Sequence, residues 1–186
     1  MSPIKPNLFN DKTSSDFVLI FGEQKIYVHQ ETISIIPYFS RIFKDDPIVL
    51  ATGEVILSPD IYHSARLIIK YAYGFKCFNH NYWLDTLVVA KLWSYEEFIT
   101  NHLDQAIDSL VTSDYDRIFG AYCSPILDCL IKSQRFRDKS FYLIESETEP
   151  YASLLVTQPS YPLESLLELG NVRLIEKWSQ AHQADR

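Results

Sequence analysis

The chain has 186 residues, 47% hydrophobic and 22% charged, with a net charge of -7, which suits one well-buried domain with a smaller helical extension and leaves too little chain for two full domains. No dense Lys and Arg cluster interrupts the acidic balance, so a nucleic-acid partner, which needs cations to displace counterions from phosphates, is not expected. The three cysteines, Cys77, Cys123 and Cys129, have no close pair, so neither a disulfide framework nor a zinc site is signalled and the expected setting is intracellular, cytoplasm or nucleus.

Taken in order, residues 1–15 are polar and carry Pro3 and Pro6, which predicts an arm that is mobile unless a partner holds it, with Leu8 and Phe9 as the large apolar groups it can offer. The run Phe17 to Phe21, the break at Gly22-Glu23-Gln24 and the return at Lys25-Ile26-Tyr27-Val28 predict two strands joined by a short turn. Past His29 the apolar spacing lengthens: Ile33, Ile36, Tyr38, Phe39, Ile42 and Phe43 recur at threes and fours, so helix replaces strand, with Pro37 suited to a first turn. Lys44 to Gly53 begins with charges and ends in a turn, which predicts a loop; its apolar triplet Ile48-Val49-Leu50 is either tucked onto the core or presented to a partner.

Ser58-Pro59-Asp60 predicts an N-cap and a helix whose buried face is Ile61, Ala65, Ile68, Ile69 and Ala72, ended by Gly74. Leu84, Leu87, Val88 and Leu92 mark another helix, and Ser94-Tyr95-Glu96-Glu97 has the form of a capping box opening the next, with Ile99, Leu103, Ala106, Ile107 and Leu110 along it. Ser124-Pro125 opens a short helix through Ile131, Glu145 to Pro150 is an acidic loop, and helices are expected over Leu163–Leu169 and from Val172 to about Ala181. No stretch approaches the roughly 18 apolar residues of a spanning helix, so no membrane partner is expected.

Asp16 before a hydrophobic strand, a Gly turn, a strand ending Val28-His29, and then Pro37-Tyr38-Phe39 followed by Ile42-Phe43 resemble the opening of a BTB (POZ) domain. Glu54-Val-Ile-Leu-Ser-Pro-Asp60 and Leu67-Ile-Ile-Lys-Tyr-Ala-Tyr-Gly74 resemble that family's third strand and third helix. The resemblance covers roughly residues 15 to 110, and the fold class it implies is α/β, BTB/POZ-like: a short three-stranded sheet capped by helices, followed by an α-helical C-terminal extension. The expected division is an arm over 1–15, a domain over 16–112 and an extension over 113–186.

The resemblance also implies function: an interaction module that self-associates, as a homodimer, and recruits a second protein, without a reaction or a cofactor. Its implied interface residues are Leu8, Phe9, Asp16, His29, Gln30, Ile33, Ile35 and Ile36. Gln30 stands where the family usually has a Lys or Arg. The helix around Ile33 is too short to bury Ile33, Ile35 and Ile36 together in a small sheet, so Ile35 is the one left for a partner. Many such proteins are substrate adaptors of cullin-type ubiquitin ligases, reached through the segment that here contains Asp45, Asp46, Pro47, Ile48 and Val49; the Glu of that contact is missing from this segment. Glu31-Thr32-Ile33 and Ile36-Pro37 also resemble the channel-tetramerisation branch.

For catalysis, the chain has no Gly-x-Ser-x-Gly turn, no Gly-rich phosphate loop, and single scattered histidines at His63, His80 and His102 without ligand spacing. A small hydrolase built on His29 and Cys77 is the enzymatic alternative, and no spacing favours it. His29 itself reads as a histidine satisfied by backbone at a strand end.

Overall fold

Strands β1 (Phe17–Phe21) and β2 (Gln24–Val28) form the predicted hairpin, with Phe17 opposite Val28 and Phe21 opposite Gln24. In the computed structural model, which describes residues 6–76, 82–111, 114–118, 124–145 and 172–182, the alternation places Phe17, Leu19, Phe21, Ile26 and Val28 on one buried face. Val18, Ile20, Lys25 and Tyr27 take the other. A third strand, β3 (Glu54–Ile56), runs parallel to β1, in the order β2-β1-β3. The protein is therefore mixed α/β, a small sheet within a mostly helical chain.

Helix α1 (Gln30–Ile33) is a single turn. Helix α2 (Pro37–Asp45) then begins at Pro37, whose missing N–H falls where a helix has no internal partner for it. Phe39 and Phe43 on α2 are buried, whereas Ile42 is only half-buried. The expected loop over 44–53 is corrected: Pro47–Thr52 is a helix, α3. Asp46 caps it, its carboxylate accepting the Ile48 and Val49 amides at 2.9 and 3.2 Å, and Gly53 ends it at φ 68°. Val49 faces inward while Ile48, 72% exposed, and Leu50 face out. The core alternative for the triplet thus holds only at its centre.

The helix expected from Ser58 begins as a 3-10 turn, Pro59–Ile61, before α4 (Tyr62–Ala72), and Ser58 makes no side-chain cap. Ala65, Ile68, Ile69 and Ala72 are buried as expected, with Ile61 half-buried. Helices α4 and α5 (Trp83–Leu92) end alike. Phe75 N–H reaches Lys70 C=O and Gly74 N–H reaches Tyr71 C=O; Tyr95 N–H reaches Ala90 C=O and Ser94 N–H reaches Lys91 C=O. Both are Schellman closures, which put the residue after the cap into the left-handed region. That residue is Gly74 at φ 86° in one and Ser94 at φ 58° in the other.

The capping box at Ser94 is thereby corrected, because an N-cap needs extended backbone and Ser94 instead closes α5. Leu92, in the last turn of α5, is 60% exposed and not part of a buried face. Replacing Ser94 by Gly should relieve the left-handed strain, and urea unfolding is expected to show the variant more stable by about 1 kcal/mol.

Helix α6 (Glu96–Asp108) follows, with Phe98, Ile99, Ala106 and Ile107 buried and Leu103 half-buried. The chain divides into two compact units, 1–103 and 104–186, a boundary inside α6 and earlier than the expected 112/113. Among the described residues of the second unit are α7 (Asp114–Ile118), α8 (Ser124–Lys132), α9 (Gln134–Glu145) and a last helix, Val172–His182. Sequence periodicity missed α7 and α9. Among the described residues this unit buries Ala106, Ile107, Leu110, Ile118, Ile126, Leu130, Ile131 and Phe136; Arg135 forks onto Asp108 with two 2.6 Å bonds, and Lys139 caps the Ile107 and Asp108 carbonyls at 2.8 and 2.6 Å. Burial at that cap lowers the Lys139 pKa. The expected helix at 163–169, the acidic loop beyond Glu145, Cys77, His80 and Cys123 lie outside the described residues. No helix among them is long and apolar enough to cross a membrane.

Candidate interaction surface

The expected interface residues fall at the seam where residues 6–15 meet the end of β2, α1 and the end of α4. The arm expected to be mobile is held there by its own chain over residues 6–15. After a 3-10 turn, Pro6–Leu8, the Phe9 ring packs edge-on to Tyr73 and Phe75 at 5.6 and 5.8 Å, with the Lys70 ammonium 5.6 Å over its face. Asn10, at φ 59°, accepts the Tyr27 amide at 2.9 Å and so covers part of the β2 edge. Leu8 and Phe9 are both half-buried, and neither forms a strand.

Asp11 folds the next turn around its carboxylate. It accepts Thr13 N–H at 3.0 Å, Thr13 Oγ1 at 2.7 Å and Ser14 Oγ at 2.6 Å. The hydrogen bonds from Ser14 and Thr13 favour its charged form and pull its pKa to about 2. Because the folded-state value lies below the ordinary one, whatever this turn contributes is present above about pH 4 and is lost as the pH falls toward 2. Carbon-detected NMR titration of the Asp11 carboxyl is expected to give a pKa near 2, and the double variant Thr13→Ala, Ser14→Ala should return it toward about 3.9.

His29 is satisfied by side chains, a correction to the backbone partner expected from sequence. Its Nε2 lies 3.0 Å from Ser14 Oγ and its Nδ1 2.8 Å from the Tyr73 hydroxyl, which also accepts the His29 amide at 2.7 Å. Donor bookkeeping assigns the protons. The Ser14 hydroxyl has one proton and gives it to the Asp11 carboxylate, so the Ser14–His29 bond is donated by Nε2–H; in the neutral imidazole Nδ1 then accepts, and the Tyr73 O–H donates to it. The chain runs in one direction from a buried phenol, whose pKa burial pushes up, to an exposed carboxylate.

Asp16 accepts the Gln30 amide at 2.7 Å, placing a carboxylate at the start of α1. Behind it, Ile33 and Ile36 have no exposed surface: they are core residues, and the structure removes them from direct contact with a partner. Ile35 between them is 53% exposed. On the outer face of the sheet a cavity of about 230 Å³ opens over Val18 and Tyr27, rimmed by Lys12, Ser15, Asp16, Thr52 and Gly53. Asp45, Pro47 and Ile48 of the second expected contact segment are exposed, Asp46 is spent on its cap, and Val49 is buried.

Ser14, Asp11 and Tyr73 were not singled out by sequence spacing. They stand 15, 18 and 44 positions from His29, and only the chain's return past β2 and α4 brings them to it. Tyr73 was legible as a helix-end aromatic and Gly74 as its stop; the hydroxyl's role was not. Among the described residues no three of His, Cys, Asp and Glu converge to hold a metal ion. No family model matches the chain, and no curated protein matches it in sequence.

Proposed function

We propose that the chain is a protein–protein interaction module of BTB type that self-associates through the surface around Ile35 and recruits a second protein. The observation that carries the reading is Ile35 itself: a large apolar side chain, 53% exposed, between two fully buried isoleucines at the α1–α2 junction. Support for the BTB type comes from the motif order together with the element order: hairpin, short α1, Pro-started α2, parallel β3, then α4 ended at Gly74. No reaction or cofactor is part of this reading, and an intracellular setting fits three cysteines without a close pair.

Light-scattering mass of the wild type and of Ile35→Asp, at matched micromolar concentration, tests the reading. The wild type is expected to be dimeric and the variant largely monomeric, because a carboxylate in an apolar contact has no compensating partner. A monomeric wild type would remove self-association and leave a single-copy adaptor; a tetramer would favour the channel-tetramerisation branch. Recruitment of a cullin is the second reading, favoured by the exposed Ile48 and Leu50 on α3 directly after α2, and opposed by the missing Glu.

The Ser14 and His29 contact invites a hydrolase reading, and the proton order argues against it. An activated serine gives its proton to the histidine. Here the Ser14 proton is turned to Asp11 and the imidazole donates to Ser14, so the pair serves as a latch.

A further inference from the structure

Strand order puts β3 at the margin of the sheet. The bonds from Val18 N–H to Gly53 C=O and from Leu57 N–H to Ile20 C=O, both 2.9 Å, set the alternation: Gly53, Val55 and Leu57 face β1, so the amides and carbonyls of Glu54 and Ile56 point away from it. Glu54 N–H turns back to Thr52 Oγ1 at 3.2 Å. The Ile56 amide and the Glu54 and Ile56 carbonyls meet no hydrogen-bond partner among the described residues. Beside them the Ile56 side chain is 79% exposed, more than any other large apolar group described.

Size and charge narrow what fits there. With strands ~4.8 Å apart and ~3.4 Å per residue, the outer face of the sheet covers only roughly 240 Å². A stable pair of folded proteins buries about 800 Å² on each side, so the sheet face alone is too small to hold a second copy. An extended segment needs mainly the backbone groups of an edge and seats for alternate side chains. Ile56 and its neighbour Ile20 on β1 form one seat, and the cavity over Val18 and Tyr27 lies one residue pair along the same face. Glu54 stands on β3 in the same row as Val18 and Tyr27, two residues along from Ile56; Asp60 is exposed just beyond the strand, and the cation Lys25 lies on the far strand β2.

We infer that the free edge of β3 binds an extended segment of a partner protein in which an apolar residue and a Lys or Arg alternate on one face, the apolar group against Ile56 and the cation against Glu54. This names the partner class of the module proposed above and rests on that reading. The probe is the blocked pentapeptide Lys-Thr-Val-Thr-Lys, with Glu-Thr-Val-Thr-Glu as control, added to the full chain and followed by amide NMR and hydrogen exchange. The expected result is saturable binding of the lysine peptide, slowed exchange of the Ile56 amide, and loss of binding when the peptide amides are N-methylated. Glu54→Lys should weaken the lysine peptide about fivefold or more and favour the glutamate peptide.

Absence of saturable binding, or binding that Glu54→Lys leaves unchanged, overturns the inference. So does a dimer that Ile56→Asp dissolves, since a second copy would then own the edge. Glu54 and Ile56 are exposed, so neither change disturbs the core. Repeating the titration in Ile35→Asp separates this inference from self-association: peptide binding persists there if the edge acts alone, and its loss there overturns the assignment to β3.

Discussion

Phe39→Ala is expected to destabilise the folded chain by about 3–5 kcal/mol, read as a drop in the urea midpoint without a change in slope. Phe39 is fully buried on α2, and three aromatic rings close around it: Trp93 at 5.0 Å, Tyr38 at 5.2 Å and Phe43 at 6.1 Å. Truncation removes the transfer energy of the ring and leaves a void that these planar neighbours cannot collapse to fill. The Tyr38 amide donates to Trp93 C=O at 3.2 Å, tying the start of α2 to the end of α5, so the void cannot close by moving either helix alone. Ile42→Ala is the comparison. Ile42 is half-buried, so the same helix should lose only about 1 kcal/mol there, and equal costs at the two positions would contradict the placement of α2.

Tyr73→Phe is expected to cost about 2–5 kcal/mol, large for the loss of one oxygen. The ring stays buried beneath Phe9, so packing is nearly conserved. What is lost is the single atom that both accepts the His29 amide and donates to His29 Nδ1. Two polar groups in a part-buried site would lack a partner, each at a penalty of about 1–3 kcal/mol. Release of the latch should also show locally: limited proteolysis within residues 6–15 is expected to accelerate in Tyr73→Phe and in His29→Ala, and to stay slow in Phe39→Ala under conditions where that variant is folded. Proteolysis unchanged in Tyr73→Phe would mean that the Phe9 and Asn10 contacts alone hold the segment.

The hairpin, α2, α4 and α5 were legible because each carries its own period and its own punctuation. Leu19 and Ile26 alternate with less buried neighbours, Phe39 and Phe43 recur at helical spacing, and Pro37 and Gly74 stand where only a first turn and a left-handed closure suit them. Ile35 is exposed as expected but for a different reason: α1 ends at Ile33, so Ile35 lies in the turn before Pro37 and not on a helical face.

Other features depended on groups that sequence spacing does not relate. Helix α3 was read as a loop because Asp46-Pro47 and Gly53 are also turn residues; whether they bound a loop or cap a helix depends on whether Val49 finds a buried site, which the neighbouring elements supply. Ser94 had the spacing of an N-cap, yet the closure of α5 took its backbone first, because one residue cannot be extended for the helix after it and left-handed for the helix before it. The latch was the least legible of all. Ser14, His29 and Tyr73 lie on three separate elements, and hydrogen bonds act over about 3 Å of space, a distance that only the folded chain defines.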